Sequence, residues 1–82
     1  MQYWIHIFDS TSTIKLRAIE SSYEIWGDAV NSLIDDIEEG VASIVDGEYI
    51  AVLSRSKEFK FPAGADDFVV QVQKSGSSFT II

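Results

Sequence analysis

The chain predicts an α+β domain: one amphipathic helix packed on a mostly antiparallel, twisted sheet, in the order ββα followed by four or five short strands. Three observations predict it. Apolar residues recur at helical spacing from Trp26 to Ile37. Segments on both sides of that stretch alternate aromatic or β-branched residues with polar ones, as half-buried strands do. The single proline, Pro62, and the five glycines all fall where a turn or an element end fits, and no repeat or linker divides the chain. The 82 residues (1–82) therefore make one domain with short connections.

The first strand is Tyr3 to Phe8, with Tyr3, Ile5 and Ile7 on one side and Trp4, His6 and Phe8 on the other. Both sides are apolar, so this strand belongs in the middle of the sheet or under cover on both faces. Asp9 to Ser12 is a polar turn, and Ile14 to Ile19 forms the return arm of a hairpin, its Lys15 and Arg17 facing water.

In the helix, Trp26, Ala29, Val30, Leu33, Ile34 and Ile37 stand at i, i+3, i+4, i+7, i+8 and i+11, one stripe on a 3.6-residue period. Ser21 and Glu24 have capping-box spacing, with Ser22 and Asp28 as alternative caps, and Gly40 suits a left-handed stop. The stripe is expected to pack on Ile5, Ile7, Leu16 and Phe59.

Beyond Gly40 the pattern is β. Asp46-Gly47 carries the strongest hairpin signal, joining Ala42–Val45 to Glu48–Ser54. Lys57 to Phe61 alternates as a further strand, Pro62 to Ala65 is a loop, and Phe68 to Gln73 is a strand. A turn at Lys74–Ser77 leads to the last strand, Phe79 to Ile82, whose uncharged sequence offers a route to a homodimer if it lies at an edge.

Composition narrows function mainly by exclusion. Without cysteine there is no disulfide, thiol nucleophile or Cys-based zinc site. The one histidine, His6, lies in an apolar strand and is read as bonded to backbone or set among aromatics, not as a catalytic base. No Gly-x-Ser-x-Gly turn, phosphate-binding glycine loop or calcium loop occurs. The chain is expected to be no enzyme and to need no cofactor or metal. Its apolar runs are too short for a signal peptide or membrane span, so it is expected to be soluble, cytoplasmic and complete.

What remains is charge. Thirteen Asp and Glu oppose six Lys and Arg, giving a formal net charge of −7. Between Ala18 and Ser54 there is no Lys or Arg, yet nine of the acids lie there. On the helix, Glu24, Asp28, Asp35 and Glu39 form a row at spacings of +4, +7 and +4, which at the helical rise is roughly 6, 10 and 6 Å. Asp36 and Glu38 lie beside it. Four of these acids crowd the helix C-terminus, where the macrodipole favours cations and where Asp35 and Glu39 repel. A purely solubilising face would ordinarily mix signs to gain i, i+4 pairs. The row therefore reads as a partner-binding surface for a Lys/Arg-rich groove meant for nucleic acid, whose phosphates repeat at a comparable distance.

The aromatic face of Trp4, His6 and Phe8 is a second candidate surface. Direct nucleic-acid binding by Arg55, Lys57, Lys60, Phe59 and Phe61 is disfavoured by the net charge. In kind rather than in motif, the chain resembles the small acidic inhibitors of phages and mobile elements: anti-CRISPR, anti-restriction and nuclease-immunity proteins. That resemblance of size, charge and absent chemistry implies a non-catalytic protein that binds and blocks a basic surface. The alternative is a small homodimeric ligand-binding module or a minor subunit of a larger assembly.

Overall fold

A computed structural model describes residues 2–82. It contains a five-stranded antiparallel sheet and two short helices: β1 (Trp4–Asp9), β2 (Lys15–Glu20), α1 (Trp26–Asn31), α2 (Leu33–Gly40), β3 (Gly47–Ser54), β4 (Phe68–Ser75) and β5 (Ser78–Ile81). The sheet order is β2-β1-β3-β4-β5. The α+β class and the opening ββα order follow the expectation, with three strands after the helices instead of four or five.

β1 lies between β2 and β3, and its four inner residues are buried. The two-faced apolar pattern is thereby explained, because both faces are covered. One face packs under the helices, where Ile5, Ile7, Ala51, Leu53 and Val72 meet Ala29, Leu33 and Ile37. The other face carries a smaller cluster of Phe8, Val52 and Phe59.

The helix differs from expectation in three ways. It breaks at Ser32, whose φ of −100° and ψ of 6° leave the helical region. Asn31 and Ser32 are both weak helix formers, and no side chain caps the second segment. The Ser21–Glu24 box does not form. Ser21 instead extends the sheet through its N–H to the Tyr3 carbonyl at 2.8 Å, and its hydroxyl accepts the Tyr23 N–H at 3.2 Å. Gly40 ends α2 without a positive φ, which among the glycines only Gly47 and Gly76 adopt. Its reason is space: a Cβ there would stand 2.5 Å from Ile19 Cδ1.

Asp46-Gly47 turns no hairpin, and Ala42–Val45 forms no strand. Ile44 N–H closes a turn onto the Val41 carbonyl, and Asp46 reaches across to the β4–β5 turn, accepting from Lys74 Nζ at 3.2 Å and Gly76 N–H at 3.0 Å. This pair is how the buried Lys74 is tolerated.

Lys57–Phe61 is also no strand. The Ser56 hydroxyl bonds the backbone of Glu58 both ways, coiling the chain locally. Phe59 and Phe61 share a side, as their spacing predicts, but they pack on Phe8 over the outer face and not beneath the helix stripe.

Both edge strands meet α2. Gly40 sits against Ile19 of β2, and the Glu38 carboxylate accepts the Phe79 N–H of β5 at 3.2 Å. The β5 edge is thus partly occupied by the protein's own helix.

Candidate functional site

The acidic residues singled out by spacing all lie in the helical layer or the coil leading to it. Glu24 precedes α1 in coil, Asp28 is in the first turn of α1, and Asp35, Asp36, Glu38 and Glu39 belong to α2. The break at Ser32 interrupts the straight row, so the roughly 10 Å spacing from Asp28 to Asp35, which assumed one continuous helix, has no such basis. Four of the six are exposed: Glu24, Asp28, Asp35 and Glu39. Two turn inward. Glu38 is half-buried and holds the β5 edge, while Asp36 lines a groove of about 300 Å³ between α2 and the end of β2.

That groove brings in a residue the spacing did not single out. Glu20, the last residue of β2, stands with Asp36 and Glu39 around it, and Ile19, Ser22 and Gly40 complete the lining. Glu20 is remote from α2 in sequence. The one local trace of their contact is Gly40, which leaves room for Ile19. Burial pushes the Asp36 carboxyl above its ordinary range. The Ser21 hydroxyl opposes that shift, and the charges of Glu39 and Asp35 add to it. Asp36 Oδ2 is buried without a hydrogen-bond partner.

Cations do not neutralise this layer. Among the described residues the one ion pair is Lys74–Asp46, which involves no residue of α1 or α2. Three of the basic residues lie instead over aromatic rings. Lys15 is 5.8 Å from the Phe8 centroid, Arg55 5.8 Å from Tyr3 and Lys57 5.5 Å from Trp4. Among the described residues no ion pair joins these cations to the acids of α1 and α2, although Arg55 shares a cleft with Trp26 at the start of α1.

The strip of Trp4, His6 and Phe8 is not an open surface. His6 is fully buried and Phe8 nearly so, because the segment after β3 folds over them. His6 Nε2 lies 2.8 Å from the Ser56 carbonyl. A carbonyl can only accept, so Nε2 carries the proton and Nδ1 is left as an acceptor with no partner. Burial lowers the ring's pKa below 6.5. The Ser56 bond opposes that shift, the Lys15 charge reinforces it and Asp67 opposes it weakly. The nearest ring is Phe59, 5.5 Å away. This is a histidine holding a loop.

Among the described residues no group of three or more His, Asp or Glu side chains is placed to hold a metal ion, and no helix is long and apolar enough to cross a membrane. No protein family, curated protein or solved structure matches the chain.

Proposed function

We propose that this protein is a non-catalytic acidic inhibitor. It acts in the cytoplasm by occupying a basic, nucleic-acid-binding surface of a defence or nuclease machine, without itself binding nucleic acid. One observation carries the reading: the exposed carboxylates of Glu24, Asp28, Asp35 and Glu39 have no ion-pair partner among the described residues. Such charges are free to pair with another molecule. Their long-range field speeds encounter with a basic surface, and complementary charges on contact select the partner. The groove of Glu20, Asp36 and Glu39 adds a recessed acidic position beside that face. It is suited to a Lys or Arg side chain of the partner, whose charge would meet the exposed Glu20 and Glu39 carboxylates.

The test is affinity capture from the source cell at low salt, followed by competition. The captured protein is expected to handle nucleic acid and to lose its nucleic acid as the inhibitor is added. A partner that binds this protein and nucleic acid simultaneously, with neither weakening the other, would contradict the proposal.

A further inference from the structure

The outer face of the sheet holds a groove of about 340 Å³ in which the acidic layer takes no part. Its floor is aromatic. Phe8, Phe59 and Phe61 meet edge-on, with centroids 6.0 Å apart for Phe8–Phe59, 4.9 Å for Phe8–Phe61 and 5.1 Å for Phe59–Phe61. Phe8 and Phe59 are packed away, whereas Phe61 keeps part of its surface in the groove.

One wall is the β1–β2 turn, which is fixed by its own hydrogen bonds. Asp9 Oδ1 accepts the N–H groups of Thr13 at 2.7 Å and Ile14 at 2.9 Å, and Asp9 Oδ2 accepts the Thr11 hydroxyl. Ser12 is held at φ +62°, the one non-glycine residue with positive φ among the described residues. Ser12 and Thr13 both line the groove.

Two lysines complete it, Lys15 on β2 and Lys60 between the phenylalanines. Neither has a carboxylate within ion-pair distance among the described residues, and Asp9 is committed to the turn. In a chain of net charge −7 this is a local inversion of sign over an apolar floor.

Each part of the lining selects a part of a ligand. The exposed part of the Phe61 ring takes a flat apolar body, because aromatic groups gain from offset or edge-on contact beyond the area they bury. Two ammonium groups without a carboxylate partner among the described residues and the Ser12 hydroxyl take an anionic group, the Thr13 hydroxyl being donated to the Thr11 carbonyl, and the ammonium groups would reject a cation. The volume lies at the lower end of the roughly 300–1,000 Å³ of small-molecule clefts, which fits one ring system with one acidic group. The overall negative charge disfavours an extended polyanion. We infer that this groove binds a planar aromatic anion, a ring system carrying one phosphate or carboxylate. The inference is independent of the acidic face.

The experiment is an amide NMR titration of the full chain with two ring anions, 5′-AMP and indole-3-carboxylate, and with adenosine and inorganic phosphate as controls. At least one ring anion should shift the amides of Phe8–Lys15 and Phe59–Phe61 saturably. Each half-ligand should bind about tenfold more weakly or worse. The partner of the lysines is a phosphate if 5′-AMP binds more tightly, and a carboxylate if indole-3-carboxylate does. Lys15→Ala/Lys60→Ala should weaken that binding by about tenfold or more, with the melting temperature unchanged because both lysines are exposed. Three results would each overturn the inference: no shift from either ring anion at about 5 mM, enough to reveal a millimolar Kd; adenosine binding as tightly as 5′-AMP where 5′-AMP is the anion bound; or unaltered binding by the double-lysine variant.

Discussion

Gly40→Ala sets two effects of comparable size against each other. Gly40 closes α2 without a positive φ, so helix propensity alone would favour alanine by up to about 1 kcal/mol. The added methyl, however, would lie 2.5 Å from Ile19 Cδ1, 3.0 Å from Cγ1 and 3.2 Å from Cγ2. Ile19 can carry Cδ1 off by rotation about χ2, but its Cγ1 and Cγ2 move only with χ1. Its β-branched side chain has few χ1 options, and it packs against the main core. Overpacking of this kind costs about 1–3 kcal/mol, so with the full propensity gain set against it the variant should be destabilised by up to about 2 kcal/mol. For a domain of this size each kcal/mol shifts Tm by roughly 4–8 °C. Urea unfolding gives the free energy directly. Ile19→Val removes Cδ1, the atom in closest conflict, and in that background Gly40→Ala should recover at least about 0.5 kcal/mol of its loss, a coupling expected only between touching residues. Stabilisation by Gly40→Ala in the native background, with no coupling to Ile19→Val, would mean that α2 does not seat on β2 as described.

Leu33→Ala should cost about 2–5 kcal/mol in urea unfolding, because Leu33 is 1% exposed in the main core; a loss under about 0.5 kcal/mol would mean the helix is not docked. His6, neutral in the fold and with its pKa lowered by burial, contributes stability that is full above pH 6.5 and declines as pH falls from there through the folded-state pKa. An unfolding series from pH 7.5 to about 5 should show this loss, and His6→Gln should flatten it while leaving partner binding within a few-fold. Asp36 has the opposite sign. Its raised pKa means that the charged form is disfavoured in the fold, a penalty relieved as pH falls through the folded-state value. Asp36→Asn should therefore leave stability unchanged or improved at pH 7, and a lower Tm would contradict the assigned cause.

The residues whose neighbours in sequence are also their partners in space were legible. Period two gave β1, β2, β4 and β5 within a residue or two, and the 3.6-residue stripe gave Ala29, Leu33 and Ile37 as the buried helical face. Several of the errors lie where a distant partner outbids a local signal. Asp46-Gly47 has the composition of a hairpin turn, but Lys74 and Gly76 claim the Asp46 carboxylate. Ser21 has the spacing of a cap, but the Tyr3 carbonyl, just before β1, claims its N–H. Phe59 and Phe61 share a side as alternation requires, and only the tertiary fold decides which sheet face that side meets. In the acidic layer, sequence supplied the residues and the absence of nearby cations. It could not supply the break at Ser32, the inward turn of Asp36 and Glu38, or the arrival of Glu20 from β2.

The central claim, that the acids of the helical layer serve a partner and not merely solubility, is tested most directly by Asp28→Lys/Asp35→Lys. Both positions are exposed and unpaired among the described residues, so reversal should alter stability by no more than about 0.5 kcal/mol per site. At a desolvated interface each like-charge contact costs on the order of several kcal/mol. The measurement is capture of the basic partner by native and reversed proteins of matched Tm, at about 50 and 300 mM salt, a range over which screening sharply weakens exposed charge pairs. The account predicts strong, salt-sensitive capture by the native protein and none by the variant. Equal capture by both, indifferent to salt, would contradict it.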